Sequence, residues 1–244
     1  MSGLTPAGAL WHPSPNFGPR RGAALPDLVV IHYTAMADAD AALQRLCDPA
    51  AEVSAHYLIG GDGTLWHLVE EKMRAWHAGA GRWGAVGDVN SRSIGIELDN
   101  RGDHPFAAAQ MARLEQLLAD VLTRWRIPPA RVIGHSDMAP ARKSDPGARF
   151  DWARLARAGL AVGVRAAAWA EDAGAAEAPR WEAFRAACGK FGYPTDSAIG
   201  NEALLTAVRA RFRPGQRGGL NAQDLAMMRD LADRFPVDLP APSA

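Results

Sequence analysis

The chain is poor in cysteine, holding only Cys47 and Cys188 among 244 residues. Two thiols so far apart cannot frame a disulfide-built fold, and they lack the paired spacing of a cysteine zinc site. Lysine is also scarce: Lys72, Lys143 and Lys190 are three of 27 basic residues. In a chain that otherwise writes its cations as arginine, each retained lysine invites a chemical question. No net charge is left over, since 27 basic residues meet 27 acidic ones. That balance gives no broad field to draw the chain to nucleic acid or to an anionic membrane. No apolar run approaches the ~20 residues of a bilayer span, and the most apolar stretch, residues 158–170, is broken by Arg165. Membrane insertion is therefore not expected. The opening residues lack a basic segment followed by an apolar one, and no cysteine precedes Cys47. As written, the chain is expected to be cytoplasmic, with no export signal or lipid anchor.

What is present is an ordinary globular composition, 48% apolar and 22% charged, enough for a sizeable core. The run Leu28-Val29-Val30-Ile31 is β-branched and ends at His32-Tyr33-Thr34, so it predicts a buried strand with polar groups at its C-terminal end. Residues 55–60 and 64–68 predict two strands joined through Asp62-Gly63, a hairpin signal. Residues 93–98 predict another buried strand with Glu97 inside it, and residues 131–133 a further one that delivers Gly134-His135. Residues 41–47 predict a short helix. Met111, Leu114, Leu117, Leu118, Val121, Leu122 and Trp125 repeat at helical spacing over residues 107–125, and Pro128-Pro129 stops that helix. Strands alternating with helices predict an α/β domain, a central mixed β-sheet flanked by helices, over residues 1–162. Residues 163–179 turn to Ala, Gly and Glu and predict a linker. Beyond it, residues 180–244 carry three amphipathic stripes: Trp181, Phe184, Ala187 and Phe191; Leu204, Leu205, Val208 and Phe212; Leu225, Met228, Leu231 and Phe235. They predict a small, separate three-helix bundle.

Chemistry-bearing residues concentrate in the first domain. His32 follows a buried strand, Glu97 interrupts one, and residues 134–147 pack His135, Lys143 and Asp145 into a Pro-broken loop. A catalytic zinc takes three protein ligands and leaves a fourth position open for water. His32, His135 and Asp145 form such a donor set. Spacing alone leaves each histidine open to a structural role, because no His-Glu-x-x-His pair places two of them on one helix face.

Five segments carry a resemblance: Val30-Ile31-His32-Tyr33-Thr34, Ser54-Ala55-His56-Tyr57-Leu58-Ile59, Ala75-Trp76-His77-Ala78-Gly79, Asn90-Ser91-Arg92-Ser93-Ile94-Gly95-Ile96-Glu97, and the loop from His135 to Gly147. Together, and in this order from about Trp11 to Leu160, they resemble the zinc-dependent N-acetylmuramoyl-L-alanine amidases of the amidase-2 type. Peptidoglycan-recognition proteins and phage amidase lysozymes are relatives of that group. The resemblance implies one zinc ion on His32, His135 and Asp145, with Glu97 as acid-base carboxylate and Lys143 as the cation at the reaction centre. It implies an enzyme that hydrolyses the amide between N-acetylmuramic acid and L-alanine, with peptidoglycan or muropeptides as its partner.

His56, Trp76, His77, Asn90 and Arg142 lie in or beside the matching segments and are candidates to contact substrate, with support of the ligands or packing the alternative for His56 and His77, and core packing the alternative for Trp76. A fourth metal ligand would close the open position, so neither His56 nor His77 is expected to be one. The C-terminal helices resemble a peptidoglycan-binding module, although Gln216-Arg217-Gly218-Gly219-Leu220-Asn221 stands where such modules carry an Asp-Gly-x-aromatic-Gly turn. Such a module favours the cell envelope as the place of action, against the missing leader. A non-catalytic wall-binding protein of the same fold is the rival reading; it is expected to lack a ligand or the acid. A chain ending near Gly163 is expected to fold and cleave soluble fragments, provided that the helices cover no apolar face of the first domain.

Overall fold

The computed structural model describes residues 6–166 and 180–238. Eight strands are present. β1 (Leu10–Trp11), β3 (Leu28–Tyr33), β4 (Tyr57–Ile59), β5 (Leu65–His67), β7 (Ser93–Leu98) and β8 (Val132–Gly134) form one sheet in the order β1-β5-β4-β7-β3-β8. β2 (Phe17–Pro19) and β6 (Met73–Ala75) pair antiparallel beside it. The main sheet is mixed: β3 runs parallel to β7 and β8, and β4 parallel to β7, while β4 and β5 are antiparallel. The Asp62-Gly63 turn joins β4 and β5, with Gly63 at φ +89° and the Asp62 carboxylate accepting from the Thr64 amide. A left-handed φ of that kind is where glycine is needed.

Alternation along β3 assigns the two faces. Val29 and Ile31 point into one core with Ile94, Ile96 and the apolar stripe of α3 (Ala108–Trp125), including Met111, Leu114, Leu118 and Val121. Leu28 and Val30 point into the other, together with Ile133 and Met138. A central parallel strand buried on both faces reads as a continuous apolar run, which is why residues 28–31 show no alternation in the sequence. On one flank, α1 (Ala39–Cys47) packs Leu43 and Leu46 against Leu58.

The second face is covered by α6 (Trp181–Phe191), α7 (Asn201–Phe212) and α8 (Ala222–Arg234), numbered after the short helices α2 (Val89–Arg92), α4 (His135–Met138) and α5 (Trp152–Arg157). Phe184, Phe191, Leu204, Val208, Met228 and Leu231 share one core with Leu28, Val30 and Ile133. The three expected helices are present, and their apolar stripes face the sheet. Three helices in about 60 residues bury only a modest core among themselves, and the sheet offers an apolar face that needs cover. The fit is close: Gly192 lies at φ +136°, and a Cβ there would come within 2.3 Å of the Trp83 ring. The proviso on a chain ending near Gly163 is therefore not met; such a chain would expose Leu28, Val30, Ile133 and Trp83 to water. The Gln216–Asn221 turn has a local reason, since Asn221 caps α8 by accepting from the Asp224 amide. Of the expected linker, residues 167–179 lie outside the described residues. No described helix is long and apolar enough to cross a membrane.

Candidate metal centre

Strand register builds the site. In the parallel pair β3/β7, His32 stands opposite Glu97, and in β3/β8, Ile31 stands opposite Gly134, so His135 follows at the same sheet end. Three C-terminal strand ends thus deliver His32, Glu97 and His135 to one place. The chain returns through a turn at 139–144 to bring in Asp145. Its carbonyl accepts from the Ser136 amide at 2.9 Å.

His32 Nδ1, His135 Nδ1 and Asp145 Oδ2 lie 2.9–3.1 Å from one another, and all three residues are buried. A tetrahedral zinc with bonds of about 2.0–2.1 Å spaces its ligands by about 3.3 Å, so the trio would spread by a few tenths of an ångström to hold the ion. The donor chemistry fits. His135 Nε2–H donates to the Ala78 carbonyl at 2.8 Å, leaving Nδ1 as the lone-pair nitrogen. His32 Nε2–H donates to His77 Nδ1 at 3.0 Å, His77 Nε2–H to Ser93 Oγ at 3.1 Å, and the Ser93 hydroxyl to the Val89 carbonyl at 2.6 Å. This chain fixes the tautomer that leaves His32 Nδ1 available. Burial, then the neighbouring His135, lowers His32 to about 4, so it is neutral at pH 7. Burial pushes the Asp145 carboxyl up, but its close contacts with His135 and His32 outweigh it and hold the group well below the usual carboxylate range. A neutral His32 and an ionised Asp145 are the states that a divalent ion requires of them.

A cavity of about 460 Å³ opens onto the trio, lined also by Glu97, Lys143, Arg142, Trp76 and His77. Desolvation, reinforced by Asp145 and opposed by Lys143, raises the Glu97 carboxyl to about 8. Its Oε2 is buried without a hydrogen-bond partner among the described residues. Lys143 is exposed at the rim, while Arg142 donates to the Ala78 and Ala80 carbonyls at 2.8 and 2.5 Å.

Two of the substrate-contact candidates lie behind the cavity wall. His56 is fully buried, its Nδ1 accepting from the Gly95 amide and its Nε2–H donating to the Met73 carbonyl, and it does not line the cavity. Asn90 is also buried; its Oδ1 accepts from the His77 and Ala78 amides, so it holds the segment that orients both imidazoles. Trp83 is 1% exposed and lies under the C-terminal helices. His77 does border the cavity, but its ring nitrogens are committed to His32 and Ser93.

Sequence reading missed Arg20, Ser93 and Gly95. Arg20 is buried and donates to the Glu71, Ser91 and Ser93 carbonyls, bracing the floor beneath His77. Gly95 carried a usable signal, an isolated glycine inside a strand, which often marks a close approach. A Cβ there would come within 2.4 Å of the His77 ring. Gly95→Ala should therefore displace His77, leave His32 without its acceptor, and weaken metal binding by about 10-fold or more. Chelator competition checks it, with unchanged affinity as the contrary result.

Residues 22–148 match the N-acetylmuramoyl-L-alanine amidase family. The chain is 42% identical over 149 residues to the N-acetylmuramoyl-L-alanine amidase AmiD of Escherichia coli, across 54% of this chain and 53% of that protein, so the aligned stretch spans about half of that relative. It is 34% identical over 159 residues to the 1,6-anhydro-N-acetylmuramyl-L-alanine amidase AmpD of Haemophilus influenzae, across 58% of this chain and 86% of that one. Among solved structures, AmiD from E. coli, in complex with the substrate anhydro-N-acetylmuramic acid-L-Ala-D-gamma-Glu-L-Lys, superposes with a TM-score of 0.81 at 31% identity. It covers 91% of this chain and 99% of that one. AmpDh3 from Pseudomonas aeruginosa gives 0.79 at 28% identity, over 96% of this chain and 99% of that one. With a histidine pair and an aspartate gathered at one end of the sheet, and with these matches, the chain belongs to the N-acetylmuramoyl-L-alanine amidase family.

Proposed function

We propose that this chain hydrolyses the amide between the lactyl group of N-acetylmuramic acid and L-alanine, in peptidoglycan or its muropeptide fragments, with one zinc ion held by His32, His135 and Asp145. The observation that carries the reading is the convergence of those three donors at 2.9–3.1 Å in a cavity that also holds Glu97 and Lys143. A wall-binding protein without catalysis has no use for a buried acid beside such a trio. When bound, zinc supplies Lewis acidity that can bring the pKa of water from about 15.7 to about 7 and polarise a carbonyl. Glu97 takes the proton of the attacking water and returns it to the leaving alanine nitrogen; a carboxyl raised towards neutrality suits both transfers. Lys143 supports the oxyanion that forms on the carbonyl. Trp76 offers an aromatic wall to sugar or peptide, and Arg142 a guanidinium to a stem-peptide carboxylate.

The anhydro-muropeptide seen in AmiD names the soluble substrate to try first. Mass spectrometry of zinc-loaded protein incubated with anhydro-muropeptide, and separately with purified sacculi, should show a free stem peptide beginning with L-alanine. Release from neither substrate would overturn the reading. Turnover confined to soluble fragments fits cytoplasmic recycling, and turnover of sacculi fits action in the envelope. A groove of about 240 Å³ on the C-terminal helices, lined by Arg209, Gln216 and Arg217, supports a wall-contacting role for residues 180–244.

A further inference from the structure

A buried ion pair joins the C-terminal helices to the turn that carries His135. Asp137 lies two residues beyond His135 in α4. Its Oδ2 accepts from the Gly134 amide at 2.8 Å and from Arg211 Nη1 at 2.6 Å, and its Oδ1 accepts from the Tyr193 hydroxyl at 2.6 Å. Arg211 Nη2 donates to the Val132 carbonyl at 2.9 Å. Both charged side chains are 1% exposed, and the guanidinium lies 4.4 Å from the centre of the Trp152 ring and 4.8 Å from that of Phe212. One cation from α7 therefore grips the start of β8 and, through Asp137, the β8–α4 junction at Gly134. The ligand histidine is the next residue. Among the described residues, Arg211 is the sole ion-pair partner of Asp137.

A module that only tethers an enzyme to polymer has no need of this. Tethering raises effective concentration and leaves the chemical step alone. Here the helices contribute two donors to a carboxylate that fixes the backbone beside a metal ligand, and neither Arg211 nor Tyr193 lines the catalytic cavity. The geometry points to Arg211 and Tyr193 as positioning residues for His135, which makes the C-terminal helices a structural part of the metal site. This rests on the reading of His135 as a zinc ligand. If Arg211 is removed, Asp137 loses its ionic partner and one of the donors that fix its carboxylate, and its hold on the Gly134 amide loosens.

The test measures zinc affinity of the full chain by competition with a chromophoric chelator, a readout independent of turnover. Arg211→Met keeps the apolar stem between Trp152 and Phe212 and deletes the charge. It should weaken zinc binding about tenfold, as loss of an outer-shell partner does. Met228→Ala, in the same core on α8, controls for general loosening and should leave zinc affinity within about twofold. If Arg211→Met does not fold, Arg211→Lys keeps the cation without the fork that reaches both Asp137 and Val132, and it should weaken binding several-fold. Zinc affinity within twofold of wild type in the folded Arg211 variant would overturn the proposal, as would an equal loss in Met228→Ala. Failure of the wild-type chain to bind zinc at all would instead remove the ligand reading beneath it.

Discussion

Stripping zinc from the protein with a chelator should abolish amide cleavage, and returning the ion should restore it. The expected effect is complete because the cavity offers no substitute nucleophile. Among the described residues that line it, the Ser54 hydroxyl donates to the Asn16 carbonyl, Ser144 pairs with the Tyr33 hydroxyl, and Thr34 faces the Asn100 carbonyl. None is paired with an imidazole, and a hydroxyl without an adjacent base is a poor nucleophile. Cys47 does not line the cavity, and burial raises its thiol further from the reactive thiolate. Replacing His32, His135 or Asp145 with alanine should lose metal and activity together, measured by elemental analysis and by peptide release. Full turnover in protein shown to be free of metal would end the zinc mechanism.

Glu97→Gln should separate chemistry from metal binding. The side chain keeps its shape, and glutamine adds no charge to the buried position of Glu97. The substituted chain should therefore fold and hold zinc with little change. What it loses is the ability to take up a proton, and the rate should fall on the order of a hundredfold or more, the scale of general acid-base catalysis. Turnover at near the wild-type rate with zinc retained would show that another group handles the proton. Parallel zinc titration distinguishes this from loss of the ion.

Much of the fold was legible in the sequence because its cause is local. The β-branched run at 28–31, the Asp62-Gly63 turn and the helical spacing over residues 107–125 depend on periodicity and on backbone preference near each residue. Each has its element within a residue or two in β3, the β4–β5 hairpin and α3. His32, Glu97, His135 and Asp145 were visible as polar residues that interrupt or follow apolar strands, a conflict with burial that needs a chemical reason. Parallel register then decided that they meet. It sets His32 opposite Glu97 and brings His135 in behind Gly134, through contacts between strands far apart in the chain.

The roles of His56, His77 and Asn90 were beyond the sequence, because a buried polar group is defined by its partner and the partner is chosen by packing. Asn90 received the His77 and Ala78 amides, and His56 the Gly95 amide, so both became parts of the scaffold. The C-terminal stripes predicted helices correctly but carried no information about what they would cover. Only the folded sheet, with Leu28, Val30 and Ile133 left bare on one face, decided that those helices complete the catalytic core. Hydrophobic burial specifies that a face must be covered, not by which segment.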